Sequence, residues 1–273
     1  MNSRHLDRMK AWFSTYVARF YTGDPEYNRA IEMKEIHTGN VCRNIVQIAE
    51  ALGLSDAETV LAETAALFHD LGRFRQYAVY GTFRDAESEN HARLSIREMA
   101  LNRVPAGWPL TERRRIVRAI AFHNAACLPD SEDDGTLRLM RMLRDADKLD
   151  IWRVFSDYYE NRGKTPFTAL EIGLADRPEC SPAVLESLRQ GHPVRLSDME
   201  TLNDMKLLQL SWVFDLNFSA SFRLAAAKRY TERIGATLPA SGEIAKALEP
   251  VRAHFDAALR GSADGRIIHK VCA

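Results

Sequence analysis

The chain has 273 residues, 46% hydrophobic and 27% charged, which suits a globular protein able to bury a sizeable core. Lys plus Arg and Asp plus Glu each number 37, so the formal net charge is zero and no global field favours duplex nucleic acid or an anionic membrane. A local basic pocket for a phosphorylated small molecule stays open. The cysteines Cys42, Cys127, Cys180 and Cys272 are far apart and form no CxxC pair. In a chain too large to need staples they read as reduced thiols, which favours the cytoplasm. The opening stretch MNSRHLDRMKAWFSTYVARF carries charges throughout and reads as neither a signal peptide nor a membrane span.

Helical periodicity dominates and no run of alternating strand residues stands out, which predicts an all-α fold. In chain order the candidate helices cover 3–21, 27–52, 56–70, 86–103, 112–124, 136–160, 181–190, 198–217, 219–235 and 243–260. Ser55 with Glu58 and Ser197 with Glu200 read as capping boxes, and Pro182 sits at a first helical position where its missing N–H costs little. Gly53, Gly72 and Gly163 stand where helices should stop. Residues 72–86, rich in Arg and aromatics, and residues 124–135, acidic and turn-like, are expected to be loops. The sharpest composition shift, over 161–180, divides a first domain at 1–160 from a C-terminal helical lobe at 161–273 packing on or near the site.

The informative residues are polar ones on apolar stripes. His37 precedes Val41, Ile45 and Ile48 on one face of its helix, and His69 follows Leu61 and Ala65 at successive spacings of four. His123 shares a face with Ile116 and Ile120, and Asp147 with Leu139, Leu143 and Ile151. His91 has Leu94 and Ser95 on its face. A buried carboxylate is expensive unless paired or bound to a metal. Imidazole and carboxylate together suit Mn, Fe, Zn, Ni or Co, without the thiolate typical of structural zinc. From 37 to 69, 91, 123 and 147 the intervals are 32, 22, 32 and 24 residues, about one helix and its connection each, so five helices could aim a ligand at one centre. Taken singly, an inward His is more often a satisfied core histidine than a ligand, and Asp147 could equally pair with Arg144 or Lys148. The conjunction favours a metal.

His37, His69-Asp70 and Asp147 resemble the H…HD…D motif of the HD superfamily of metal-dependent phosphohydrolases over residues 30–160. AALFHDLGR (65–73) and RDADKLD (144–150) are similar to the family's strings around HD and its last aspartate. His91 in ENHARLS and His123 in AIAFHN match the extra histidines of members that bind two metals, and no GYP motif follows. The resemblance implies a helical bundle with additional C-terminal helices. It further implies a two-ion centre bridged by Asp70, with Mg an option in the substrate complex, and hydrolysis of a phosphate ester or anhydride of a nucleotide-like small molecule by a metal-activated hydroxide. Asp70, Arg73 and Lys148 are the catalytic candidates, and Arg73, Gln76, Arg84 and Lys148 the substrate-binding ones. Arg73 could instead serve a helix C-terminus, Lys148 a salt bridge to Asp145 or Asp150, and Gln76 and Arg84 the solvated surface. An HD-type di-iron oxygenase and a non-catalytic HD sensor are the alternative functions. The expected partner is a phosphorylated small molecule, with no duplex nucleic acid and no membrane; a homo-oligomer is left open.

Overall fold

The computed structural model describes residues 2–104, 106–164, 167–171 and 173–261. The fold is all-α; among the described residues the one isolated β-bridge joins Ala175 to Thr201, and no strand forms. No described helix is long and apolar enough to cross a membrane. Cys42, Cys127 and Cys180 are free thiols, and Cys272 lies outside the described residues.

Two compact units divide the chain at Asp150 and Ile151. The first holds α1 (Ser3–Val17), α2 (Pro25–Ala51), α3 (Asp56–Phe68), α4 (Leu71–Tyr80), α5 (His91–Leu101), α6 (Leu110–Phe122) and most of α7 (Asp134–Asn161). Asp24 caps α2 by accepting from the N–H groups of Glu26 and Tyr27, with Pro25 at the first position. Ser55 and Glu58 form the capping box expected for α3, and Gly53 takes the left-handed conformation that ends α2. The apolar stripes then fix the packing. Val41, Ile45 and Ile48 of α2 and Leu61, Ala65 and Phe68 of α3 are buried where these two helices run side by side. α6 packs on both α3 and α5, and α1 covers α3 with an aromatic cluster of Trp12, Phe13, Phe68 and Phe74.

The second unit contains the end of α7, α8 (Thr168–Glu171), α9 (Pro182–Arg189), α10 (Leu202–Ser211), α11 (Ser219–Ala227), α12 (Tyr230–Gly235), α13 (Gly242–Ala247) and α14 (Glu249–Arg260). Trp152 is fully buried there, its ring against Trp212 and Tyr230 and its indole N–H donating to the Gln209 carbonyl at 2.9 Å. Because α7 surrenders these aromatics to the second unit, the division falls inside the helix, ten residues before the composition shift suggests. Trp152, Tyr158, Phe214, Phe218 and Phe222 are core residues of that unit.

Several boundaries differ from the sequence reading, each for a local reason. Residues 71–80 are helical, not a loop; Leu71 and Phe74 are buried on one side and Gly72 and Gln76 on the other, so no single apolar stripe marks the helix. α10 starts at a capping box of Thr201 and Asp204 rather than Ser197 and Glu200. The buried Asp204 carboxylate draws it there by also accepting from the Ser181 hydroxyl and N–H and the Glu200 N–H. Arg229, at a left-handed φ of 54°, splits the helix expected over 219–235. The helix expected over 243–260 restarts at Glu249, with Pro250 in its first turn.

Gly72 does not end a helix; it lies in the first turn of α4, against α5. A Cβ built there would stand 2.5 Å from the Ser95 nitrogen, 2.7 Å from the His91 carbonyl oxygen and 2.8 Å from the Leu94 carbonyl carbon. The Ser95 hydroxyl donates to His69 O and accepts from Gly72 N, both at 2.8 Å, so it sews α5 to the α3–α4 junction. Backbone cannot yield as a flexible side chain does. Gly72→Ala is therefore expected to lower unfolding stability by about 1–3 kcal/mol, read as a lower urea midpoint at unchanged slope; an unchanged midpoint would show the two helices free to part.

Candidate metal centre

The close approach at Gly72 brings the start of α5 beside the junction of α3 and α4, where His69 and Asp70 sit. His91 is the first residue of α5, His123 caps the C-terminus of α6, and His37 and Asp147 lie within α2 and α7. All four imidazoles and Asp70 are buried. Their polar atoms converge in two sets that share Asp70. Its Oδ2 is 3.5 Å from His37 Nε2 and 3.7 Å from His69 Nε2, while Asp147 Oδ1 is 3.1 and 3.6 Å from the same nitrogens. Its Oδ1 is 3.6 Å from His91 Nε2 and 3.8 Å from His123 Nε2, which are 3.0 Å from each other.

The other ring nitrogens explain why these atoms face one another. His37 Nδ1 meets Asp150 Oδ2 and His91 Nδ1 meets Asp85 Oδ2, both at 2.7 Å. His69 Nδ1 meets the Ala66 carbonyl and His123 Nδ1 the Ile120 carbonyl, also at 2.7 Å. Carbonyls and carboxylates only accept, so each Nδ1 carries a proton, and each Nε2 faces the centre, where the neutral ring offers a lone pair. His37 Nε2 and His69 Nε2 are buried without a hydrogen-bond partner; the 3.1 Å approach of His37 to Asp147 lacks the alignment of one. Lone pairs of imidazole and carboxylate crowded together are mutually repulsive unless a cation joins them. Ligand atoms about 2.1 Å from one ion stand ~3.0–3.4 Å apart at octahedral to tetrahedral angles. The contacts of 3.0–3.8 Å here lie close to that range. The side chains present thus fit divalent ions, and His69 belongs to the same convergent group as His123 and Asp147.

Charge around the centre follows from burial and neighbours. Burial opposes ionisation of Asp70, yet Lys34, His69 and Arg73 hold its carboxyl well below the ordinary carboxylate range. Asp147 is held low in the same way, by His37 and His69 against burial. Burial and then Arg73 push His91 down to about 3, the neutral form a ligand needs. Burial and Lys34 lower His37, but Asp147 and Asp150 outweigh them and raise it to about 9, so this ring must give up its Nε2 proton before it can ligate an ion.

The other candidates from the sequence fall into distinct places. Arg73 reaches Asp70, its Nε 3.6 Å from Oδ1, while its Nη1 donates to Gln76 Oε1 at 2.8 Å, Asp85 Oδ1 at 3.1 Å and the Phe83 carbonyl. Gln76 is fully buried, and its amide N–H groups are taken by Asp85 at 3.0 Å, Ser88 at 2.8 Å and the Glu89 carbonyl at 2.9 Å. Arg84 pairs with Glu87 rather than with any of the six. Lys148 is buried beside Asp147 and is engaged within the fold. Arg144 donates to the carbonyls of Phe122, His123 and Ala125, which closes the end of α6 that presents His123.

Three residues escape the sequence reading. Lys34, one turn before His37, places Nζ 2.7 Å from Asp70 Oδ2. Asp150, three residues after Asp147, and Asp85, in the connection before α5, orient His37 and His91. The spacing of Lys34 and Asp150 from recognised ligands was a usable signal; Asp85 had none. Asp150→Asn and Asp85→Asn are each expected to loosen divalent-ion binding about 10–100-fold, measured by competition against a chelating dye. Unchanged affinity in both would mean that the rings need no such orientation.

Comparison with known protein families matches residues 35–152 to the HD domain. No curated protein and no solved structure matches the chain. The matched span encloses His37, His69, Asp70, His91, His123 and Asp147, the six side chains that converge in the first unit. Over residues 35–152, then, the chain is similar to the HD domain.

Proposed function

We propose that this protein is a metal-dependent phosphohydrolase that uses two divalent ions to cleave a phosphate ester or anhydride of a small, nucleotide-like molecule. The observation that carries this reading is the division of labour at Asp70. Oδ2 faces His37 and His69, and Oδ1 faces His91 and His123. One carboxylate joining two ligand sets is the arrangement by which a protein holds two ions side by side. Such ions lower the pKa of water and polarise phosphoryl oxygens.

The chain's own residues supply the rest. Each ligand set has one histidine oriented by a carboxylate and one by a backbone carbonyl, so both sets are held rigid from behind. Two ligating carboxylates against two divalent ions leave a net positive centre, which attracts an anionic phosphoryl group and offers little to a neutral substrate. Arg73 adds a fixed positive charge beside Asp70 Oδ1. Its Nη1 is committed to Gln76, Phe83 and Asp85, so Arg73 acts mainly by keeping Asp85 against His91. The aspartate Asp147, which completes the first set, is suited to accept a proton at Oδ1 or to stay ionised as a ligand; its depressed pKa favours the latter.

Protein loaded with Mn is expected to hydrolyse at least one member of a panel of phosphomonoesters, phosphodiesters and nucleotides, at the same rate with and without dioxygen. Asp70→Ala should reduce that rate to background. Turnover only in the presence of dioxygen and iron would assign the site to oxygenase chemistry. Ion binding without any turnover across the panel would leave a sensor domain.

A further inference from the structure

We infer that Lys34 is the exchangeable cation of this site: a divalent ion in the first ligand set displaces its ammonium from Asp70, and the freed ammonium binds a phosphoryl oxygen of the substrate. The inference rests on the phosphohydrolase reading and adds a residue that the HD motif does not contain.

Lys34 Nζ stands 2.7 Å from Asp70 Oδ2, the oxygen that faces His37 and His69. An ion ligated by those nitrogens and that oxygen therefore draws on the same electron pairs as the ammonium. A doubly charged ion and an ammonium on one oxygen also repel each other at short range, where little water screens them. The weaker, more mobile partner yields. Lys34 is built to do so, because its charge rides on a flexible four-carbon stem and its side chain is 14% exposed, at the edge of the site rather than sealed within it. The Phe83 ring, 5.6 Å from Nζ, offers the ammonium a second favourable surface within reach.

Arg73 cannot take this part. Its contacts with Phe83 and Asp85 hold the connection before α5 in place, and releasing them would free Asp85 from the network that orients His91. Among the described residues the Lys34 ammonium has Asp70 as its ion-pair partner and Phe83 as its ring contact, with no network like that of Arg73. It also lies one turn before His37 on the same helix, so any substrate group near the first ligand set is near Lys34 as well. The consequence is a coupling. The ammonium weakens the first ion when no anion is present and strengthens the anion once the ion is in place.

The test measures two affinities in the full chain, with no need for turnover. Mn binding is titrated without phosphate, and inorganic phosphate binding is titrated on Mn-saturated protein, both by calorimetry. Lys34→Met and Lys34→Gln remove the charge with an apolar and a polar stem, so that one serves if the other does not fold; Lys34→Arg restores the charge. Loss of the charge is expected to tighten the first Mn about tenfold and weaken phosphate about tenfold, with Lys34→Arg moving both back toward wild type. Unchanged Mn and phosphate affinities in both neutral variants would overturn the inference while leaving the hydrolase reading intact. A change in Mn affinity alone would also overturn it, by making Lys34 a structural counterion. Wild type that binds no Mn would overturn both.

Discussion

Asp70 is a carboxylate with 3% exposure at a break between two helices, and such a charge is tolerated only where its lone pairs are used. Here they are used in opposite directions, Oδ2 toward α2 and Oδ1 toward α5 and α6. The elements around the α3–α4 junction serve that placement. The α3–α4 junction frees Asp70 from either helix, and Gly72, lacking a side chain, lets α5 come close enough for His91 to meet it. Ser95 ties the same junction from the other side through its bonds to His69 and Gly72. Packing and chemistry are thus the same contacts: the interface that stabilises α4 against α5 is the one that assembles the second ligand set.

A second layer sets the orientation of the rings. Asp150 and Asp85 act on one histidine in each set, and the Ala66 and Ile120 carbonyls act on the other. Those carbonyls lie in the last turns of α3 and α6, where backbone acceptors are left over, so the helix ends meet their own hydrogen-bonding demand with the ligand. Arg73 and Gln76 then fasten the connection that carries Asp85. A change in that connection is expected to reach the ions through His91 without any direct contact.

Much of this was legible in the sequence, and the reason is periodicity. His37, His123 and Asp147 stood out because they interrupt stripes such as Val41–Ile45–Ile48 and Leu139–Leu143, and the structure buries those stripes. What failed to show has a common cause as well. Helix α4 was obscured because it is buried on two sides, and one of them carries Gln76, whose amide N–H groups are used by the connection before α5. Asp85 was invisible because its role arises from where a short non-helical connection returns to α5, which no period encodes. Lys34 offered only its place one turn before His37 as a signal. The meeting of α2 with the α3–α4 junction shows that it faces Asp70.

If six side chains hold two ions through one shared carboxylate, the number of bound ions follows from the ligand sets. Elemental analysis of Mn-saturated, desalted protein should give two ions per chain for the wild type and one for the His91→Ala, His123→Ala double variant, since the set built on His37, His69, Asp70 and Asp147 survives. A single ion in both proteins would contradict the account, because Asp70 would then serve one ligand set and His91 and His123 would face each other for another reason.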